Sequence, residues 1–418
     1  MEVFRPYFRL VRFNHNYRRL WLSQIVANFG DWFGILAVYA LVLNYTDSEL
    51  LLGLIIVVKM LSFAVFSPIA GYLTDRFDRR TLMLLCDIGR GVVVLGFLLV
   101  NSESMLWFAF FITSLQMMMA AVFEPAKSSS IPNITSEDEL VYANVLSNLS
   151  WSVIFTAGMA IGGLATAWLG TSAVFVINAF TYILSAYFIY FAVIPHIRDE
   201  AHLQKLAKPF KGIIDGLKYL KSRGDVLRPA LAKGFYEISL GGMVFLLILI
   251  SENVLLTGSV GLGILYGARG IGTAVGPLTI KGWFGDESKW IMLIGFCMII
   301  TGIMYFFVGL TVSLMAMIPL VLVAHAASGA NWVMSTVLIQ KRSPDEFRGR
   351  IFSSEWLFFT VCESFSVLFA ALILEFKLLE INTVILVMSV MLIASGIFWL
   401  LFVAQKEKKY QQHLNFTT

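Results

Sequence analysis

The sequence predicts an all-α polytopic membrane protein, with twelve transmembrane helices in two pseudo-symmetric six-helix bundles. Three observations predict it. Of 418 residues, 58% are hydrophobic and only 14% charged, against about 45–50% and about 25% in soluble domains; mean hydropathy is +0.79. The apolar residues gather into twelve runs of roughly the 20 residues that cross a bilayer. Short patterns also recur at an offset close to half the chain. Unbroken apolar runs such as 91–100 and 244–250 exclude a β-barrel, whose strands alternate apolar and polar residues. A soluble enzyme is excluded too.

Dividing the chain at charged and Gly/Pro/Asn clusters places the spans at 20–43, 50–73, 81–100, 105–123, 143–168, 173–194, 230–251, 260–280, 290–310, 314–338, 352–374 and 382–404. The first span reads as an uncleaved signal, because no short apolar region is followed by a small-residue cleavage site. An even number of spans puts both termini on one side, and the cations say which. Arg5, Arg9, Arg12, Arg18 and Arg19 precede span 1, and Arg76, Arg79 and Arg80 follow span 2. Lys127, the run from Arg198 to Arg228, Lys281, Lys289, Lys341, Arg342, Arg348, Arg350, Lys406, Lys408 and Lys409 share that face. The opposite loops hold Lys377 among Asp47, Glu49, Glu103, Glu252, Glu375 and Glu380. Positive charge stays inside. Both termini are therefore expected in the cytoplasm, in a bacterial inner membrane.

A net charge of +4 dispersed over these segments orients helices and offers no nucleic-acid surface. Cys86, Cys297 and Cys362 lie in apolar runs without metal-ligand spacing, so neither a disulfide framework nor a zinc site is expected. No metal or cofactor is implied.

The expected organisation is an N-terminal bundle at 1–194, a linker at 195–229 and a C-terminal bundle at 230–418. In the linker Phe210, Ile213, Ile214, Leu217 and Leu220 recur at helical spacing between lysines, the pattern of an amphipathic helix on a membrane surface. Gly53-x5-Lys59 in span 2 returns as Gly263-x5-Arg269 in span 8, and Ser136-Glu-Asp-Glu-Leu140 returns as Ser343-Pro-Asp-Glu-Phe347. In the second pattern a Ser precedes a Glu by three residues, a capping box that opens a helix. Internal duplication of this kind typifies secondary transporters.

The turn after span 2 reads Gly71-Tyr-Leu-Thr-Asp75-Arg76-Phe-Asp78-Arg79-Arg80. It resembles the signature loop of the major facilitator superfamily, G-x-L-x-D-R-x-G-R-[KR], with Asp78 where the common pattern has Gly. The D-R-x-D-R-R form is similar to the branch of macrolide efflux pumps and enterobactin-type exporters. Gly30-Asp31, Lys59, Asp87-x-x-Arg90 and the 344–353 segment agree with that branch, while Glu124-Pro-Ala-Lys127 resembles the lysophospholipid transporter. The resemblance implies the major facilitator fold, and a cytoplasmic latch built on Gly71, Asp75, Arg76, Arg79 and Arg80. The alternative for the arginines is topology anchoring alone. Where antiporters of this kind carry G-P-x-x-G-G in span 5, this chain has Gly158-Met-Ala-Ile-Gly162-Gly163. The proline is missing, but small residues four apart still permit close helix packing.

Eight ionisable residues fall inside spans: Asp31, Asp87, Glu237 and Glu363 against Lys59, Arg90, Lys233 and Arg269. A charge in lipid costs at least about 2.5–3.5 kcal/mol, so these groups should meet one another or a wet cavity. Asp87 with Arg90, and Lys233 with Glu237, share helix faces and read as pairs toward the cytoplasmic ends. Asp31, Lys59, Arg269 and Glu363 fall near mid-membrane and are the substrate and proton candidates, Asp31 ahead of Glu363; permanent ion pairing is the alternative. His325 is either a proton relay or a hydrogen-bonded core residue.

These readings converge on a monomeric, non-enzymatic secondary transporter that exports an amphipathic drug- or siderophore-like small molecule in exchange for protons, by alternating access. The alternatives are a lysophospholipid flippase, a metal exporter suggested by Gly30-Asp31-Trp32, and a membrane receptor that transports nothing.

Overall fold

The computed structural model describes residues 5–195, 211–283, 287–343 and 345–408. A short helix α1 (Arg5–Phe13) leads into α2 (His15–Tyr45), α3 (Glu49–Arg76), α4 (Arg79–Val94) and α5 (Leu106–Ile134). The helical segment Glu137–Phe191 is broken at Gly170, whose φ of 79° and ψ of 165° are open essentially to glycine alone. This break turns one continuous segment into a hairpin of α6 (137–169) and α7 (171–191). Then follow α8 (Lys211–Ser222), α9 (Gly224–Leu249), α10 (Gly258–Trp283), α11 (Trp290–Leu310), α12 (Leu314–Arg342), α13 (Asp345–Glu375) and α14 (Ile381–Phe398).

Each predicted span is one of these helices. Among the described residues, ten helical segments are long and apolar enough to cross a membrane. One of the ten, Val153–Phe191, contains the α6–α7 hairpin, and the span predicted at 260–280 is α10. Large apolar side chains such as Phe111, Phe180 and Phe365 remain more than half exposed along the helices. A helix surface in contact with lipid has that character.

Local chemistry starts the helices where the sequence places them. The Asn14 side chain accepts from Tyr17 N at 3.0 Å to open α2, and also donates to Ile134 O at 2.7 Å. Ser136 and Glu139 form the predicted capping box at the start of α6. The counterpart at Ser343–Phe347 reaches outside the described residues. Asp78, the departure from the family loop, caps α4: its carboxylate accepts from Thr81 N at 2.8 Å and from Thr81 Oγ1 at 2.7 Å. Asp and Gly are both favoured caps, so either residue meets the local need.

The chain forms two compact units. One comprises Met1–Asp47 and Val58–Pro209, the other Ser48–Val57 and Phe210–Thr418. In the first, a side chain at Gly158 would meet Trp32 Cβ at 2.8 Å, and one at Gly162 would meet Phe33 Cα at 3.0 Å. The glycine pattern of span 5 therefore seats α6 directly on the backbone of α2. Gly163 is also buried. In the second unit, Leu220 of α8 packs with Val226, Ala230, Ile339 and Ile351, while Ile214 and Leu217 stay exposed. Beyond α14, buried Glu407 accepts from Arg228 Nε at 2.5 Å and pairs with Arg342 Nη2 at 2.8 Å. This contact ties the end of the last span to the start of α9 and the end of α12.

Candidate functional site

The first unit contains a buried charge network built from three helices. From α4, Asp87 and Arg90 are 0% and 2% exposed and are bonded to each other, as their i, i+3 spacing predicts. Ser185 of α7 donates to Asp87 Oδ2 at 2.5 Å. Arg90 also reaches Asp31 of α2, Nη1 to Oδ2 at 3.5 Å, and Tyr182 of α7 donates its hydroxyl to Asp31 Oδ1. The guanidinium is held between two rings, 4.6 Å from the Tyr182 centroid and 4.8 Å from that of Phe123. Cation–π contact of this kind strengthens when water is excluded.

The network joins candidates that the sequence left apart. Asp31 pairs with Arg90, and the Lys59 ammonium sits 5.2 Å from the Trp32 ring centroid. Asp87 and Arg90, expected toward the cytoplasmic end of their span, are bonded into one group with mid-span Asp31. Two carboxylates thus share one guanidinium, which leaves one negative charge in excess among these three side chains. They differ in access: the Asp87 side chain is sealed, whereas that of Asp31 is 28% exposed.

The second unit holds two polar groups. Lys233 of α9 pairs with Glu355 of α13 at 2.9 Å, both side chains under 5% exposed. The same ammonium donates to Thr336 Oγ1 at 3.0 Å and lies 4.0 Å from the Trp332 centroid. The predicted pair with Glu237 is therefore incorrect. Lys233 turns toward α12 and α13, and Glu237 faces a different group. Half-buried Glu237 is within electrostatic range of Glu363 and Arg269, and the Arg269 guanidinium stacks on Tyr266 at 5.4 Å. Glu363 packs against α9 so closely that a side chain at Gly241 would meet its Cγ at 2.8 Å. His325 is bonded to Tyr305 at 2.9 Å and is 1% exposed, which is the core-residue alternative.

In the loop motif, Gly71 and Asp75 occupy the last turns of α3, with side-chain surroundings outside the described residues. Arg76 is exposed. Arg79 donates to Ser129 O at 2.7 Å. Arg80 reaches Ile189 O at 3.4 Å and also bonds Tyr190 O, so both arginines bind carbonyls at the ends of α5 and α7.

Sequence reasoning missed Tyr182, Ser185, Thr336 and Glu355. The first two form a Tyr-x-x-Ser pattern in a mostly apolar span, which puts two hydroxyls on one helix face. Glu355 sits two helical turns above Glu363 and reads as a span boundary until α13 is seen to begin at Asp345.

Known proteins resemble both the sequence and this architecture. YfiS of Bacillus subtilis, an uncharacterised transporter of this type, is 32% identical over 206 residues, 48% of either chain. BacE of Bacillus subtilis, whose name assigns it bacilysin export, is 26% identical over 341 residues, 81% of this chain and 84% of that protein. Macrolide efflux protein A of Streptococcus pyogenes is 22% identical over 355 residues, 80% and 83%. A bacterial homologue of the human lysosomal transporter Spinster, solved inward-facing and unoccupied, superposes with a TM-score of 0.74 at 15% identity, covering 95% of this chain and 98% of that one. The family description Major Facilitator Superfamily matches residues 20–362. With its long apolar helices, its signature loop and a match over most of its length, the chain belongs to the Major Facilitator Superfamily of transporters.

Proposed function

We propose that this protein exports an amphipathic small molecule in exchange for protons, and that Asp31 carries the proton. The observation that carries the reading is the sharing of Arg90 by two carboxylates of unequal access. Two carboxylates drawn to one guanidinium repel each other, so a proton or a bound cation stabilises the network. Asp87 is committed to Arg90 and Ser185 and is closed to water. Asp31 is the carboxylate that water can reach. Gaining or losing one proton there changes how Arg90 divides between Asp31 and Asp87, and a two-state exchanger uses such a change to couple an ion to a conformation.

Export as the direction is supported by the relatives named for bacilysin export and macrolide efflux. The working arrangement has halves at 1–194 and 230–418 joined by 195–229, both termini in the cytoplasm of a bacterial inner membrane, and a monomer as the unit of transport. Glu363, Glu237 and Arg269 contribute to substrate contact in the second half, and the 71–80 loop acts as the cytoplasmic latch.

Reconstitution tests the reading. In proteoliposomes, Asp31→Asn should abolish transport driven by an imposed pH gradient while retaining substrate exchange without a gradient. Gradient-driven transport that survives the substitution overturns the assignment. Lipid uptake indifferent to the gradient would favour the lysophospholipid reading instead.

A further inference from the structure

Each unit contains an aromatic triad of the same construction. In the first, Trp32 meets Trp151 edge-on at 5.9 Å and Phe155 edge-on at 4.6 Å, while Trp151 and Phe155 stack at 5.5 Å and 9°. In the second, Trp332 meets Trp356 edge-on at 5.9 Å and Phe359 edge-on at 5.4 Å, while Trp356 and Phe359 lie at 5.2 Å and 34°. The outer indole and its phenylalanine recur along the chain, 151 with 356 and 155 with 359, at nearly the offset of the other repeats. A lysine ammonium covers the central indole in both, Lys59 at 5.2 Å and Lys233 at 4.0 Å. The gradient of exposure is the same as well. Phe155 and Phe359 are 5% and 7% exposed, whereas Trp151 and Trp356 are 40% and 39%.

Helix packing explains the buried phenylalanines but not an outer indole left open in both triads. Nor is the first triad an interfacial aromatic belt. Trp32 and Lys59 stand about 15–20 Å from the ends of α2 and α3 that meet at the 46–48 loop, at ~1.5 Å per residue. That is mid-depth, where an ammonium requires protein or water beside it and not lipid. Trp151, 40% exposed, packs edge-on against the same Trp32 ring that the Lys59 ammonium covers.

We propose that Trp151 and Trp356 are stacking platforms that select substrates with a flat, π-rich face, a reading that rests on the transport function proposed above. Each platform is preorganised: the edge-on central indole and the adjoining phenylalanine hold the outer ring, so a planar ligand docks without ordering the side chain first.

Equilibrium binding in nanodiscs at one pH tests this without any gradient. The probes are 1-pyrenebutyrate, read by energy transfer from tryptophan, and dodecanoate, read by competition; they share a charge and differ in the ring system. Trp151→Ala should weaken pyrenebutyrate roughly three- to tenfold, the range for one aromatic pair, and leave dodecanoate unchanged. Trp151→Phe should retain most of the affinity, and Trp356→Ala should behave as Trp151→Ala does. An equal loss for both probes would reduce the site to apolar volume. No loss for either would mean that Trp151 faces lipid, and each of these outcomes overturns the proposal. Because no proton gradient is applied, stacking can hold while the Asp31 assignment fails, or the reverse.

Discussion

Tyr182 of α7 donates its hydroxyl to Asp31 of α2, so the carboxylate open to water is held by a side chain that is only 1% exposed. Tyr182→Phe keeps the ring on Arg90 and removes only the donor. We expect the fold to survive and gradient-driven transport to slow by about tenfold, the rate equivalent of a hydrogen bond worth about 1.4 kcal/mol. Initial rates in proteoliposomes across a pH series check this. An unaltered profile would leave Tyr182 a packing residue.

The Lys233–Glu355 pair offers a cleaner test of stability, because both members are buried. Lys233→Met strands a carboxylate and should cost about 3–5 kcal/mol, whereas Lys233→Met with Glu355→Leu should return close to the parent value. Thermal unfolding of the two single variants and the double variant completes the cycle. Rescue by Glu237→Gln in place of Glu355→Leu would show that the pairing is wrong.

Two glycines make opposite demands on the chain. Gly162→Ala should cost about 1–3 kcal/mol through overpacking, because the added carbon meets the backbone of Phe33 and a backbone cannot rotate away. At Gly170 nothing lies within 4 Å of an added carbon, yet Gly170→Ala should cost a similar 1–3 kcal/mol from the dihedral angles alone, roughly the penalty for that region. Unfolding temperatures of the two variants check both penalties.

Asp78 makes a graded prediction. Asp78→Ala should destabilise α4 by about 1 kcal/mol, while Asp78→Gly should cost only a few tenths, about the usual difference between these caps. Unfolding midpoints for both variants separate a cap from a latch residue, since a latch carboxylate would tolerate neither.

The sequence made some of this architecture legible and hid the rest for physical reasons. Hydropathy located each predicted span on a helix, because the bilayer imposes a common length on what crosses it. Asp87 with Arg90 was readable since both lie on one helix. Lys233 was misassigned because a helix face at i, i+4 competes with neighbours on other helices. Only packing reveals that Glu355 and Thr336 lie closer. Tyr182 and Ser185 were invisible for a similar reason: a hydroxyl in an apolar span marks no site until the carboxylate it serves is placed beside it.

Glu407 gives the polypeptide beyond the last span a defined anchoring point, clasped by Arg228 and Arg342. A protein engineer adding a reporter or affinity handle therefore has a boundary to respect. A fusion joined after Lys408 keeps the clasp. Cutting before Glu407 leaves two guanidinium groups crowding each other at the foot of α9 and α12. Loss of yield in such a shortened form would then report repulsion at that foot rather than damage to the transport path.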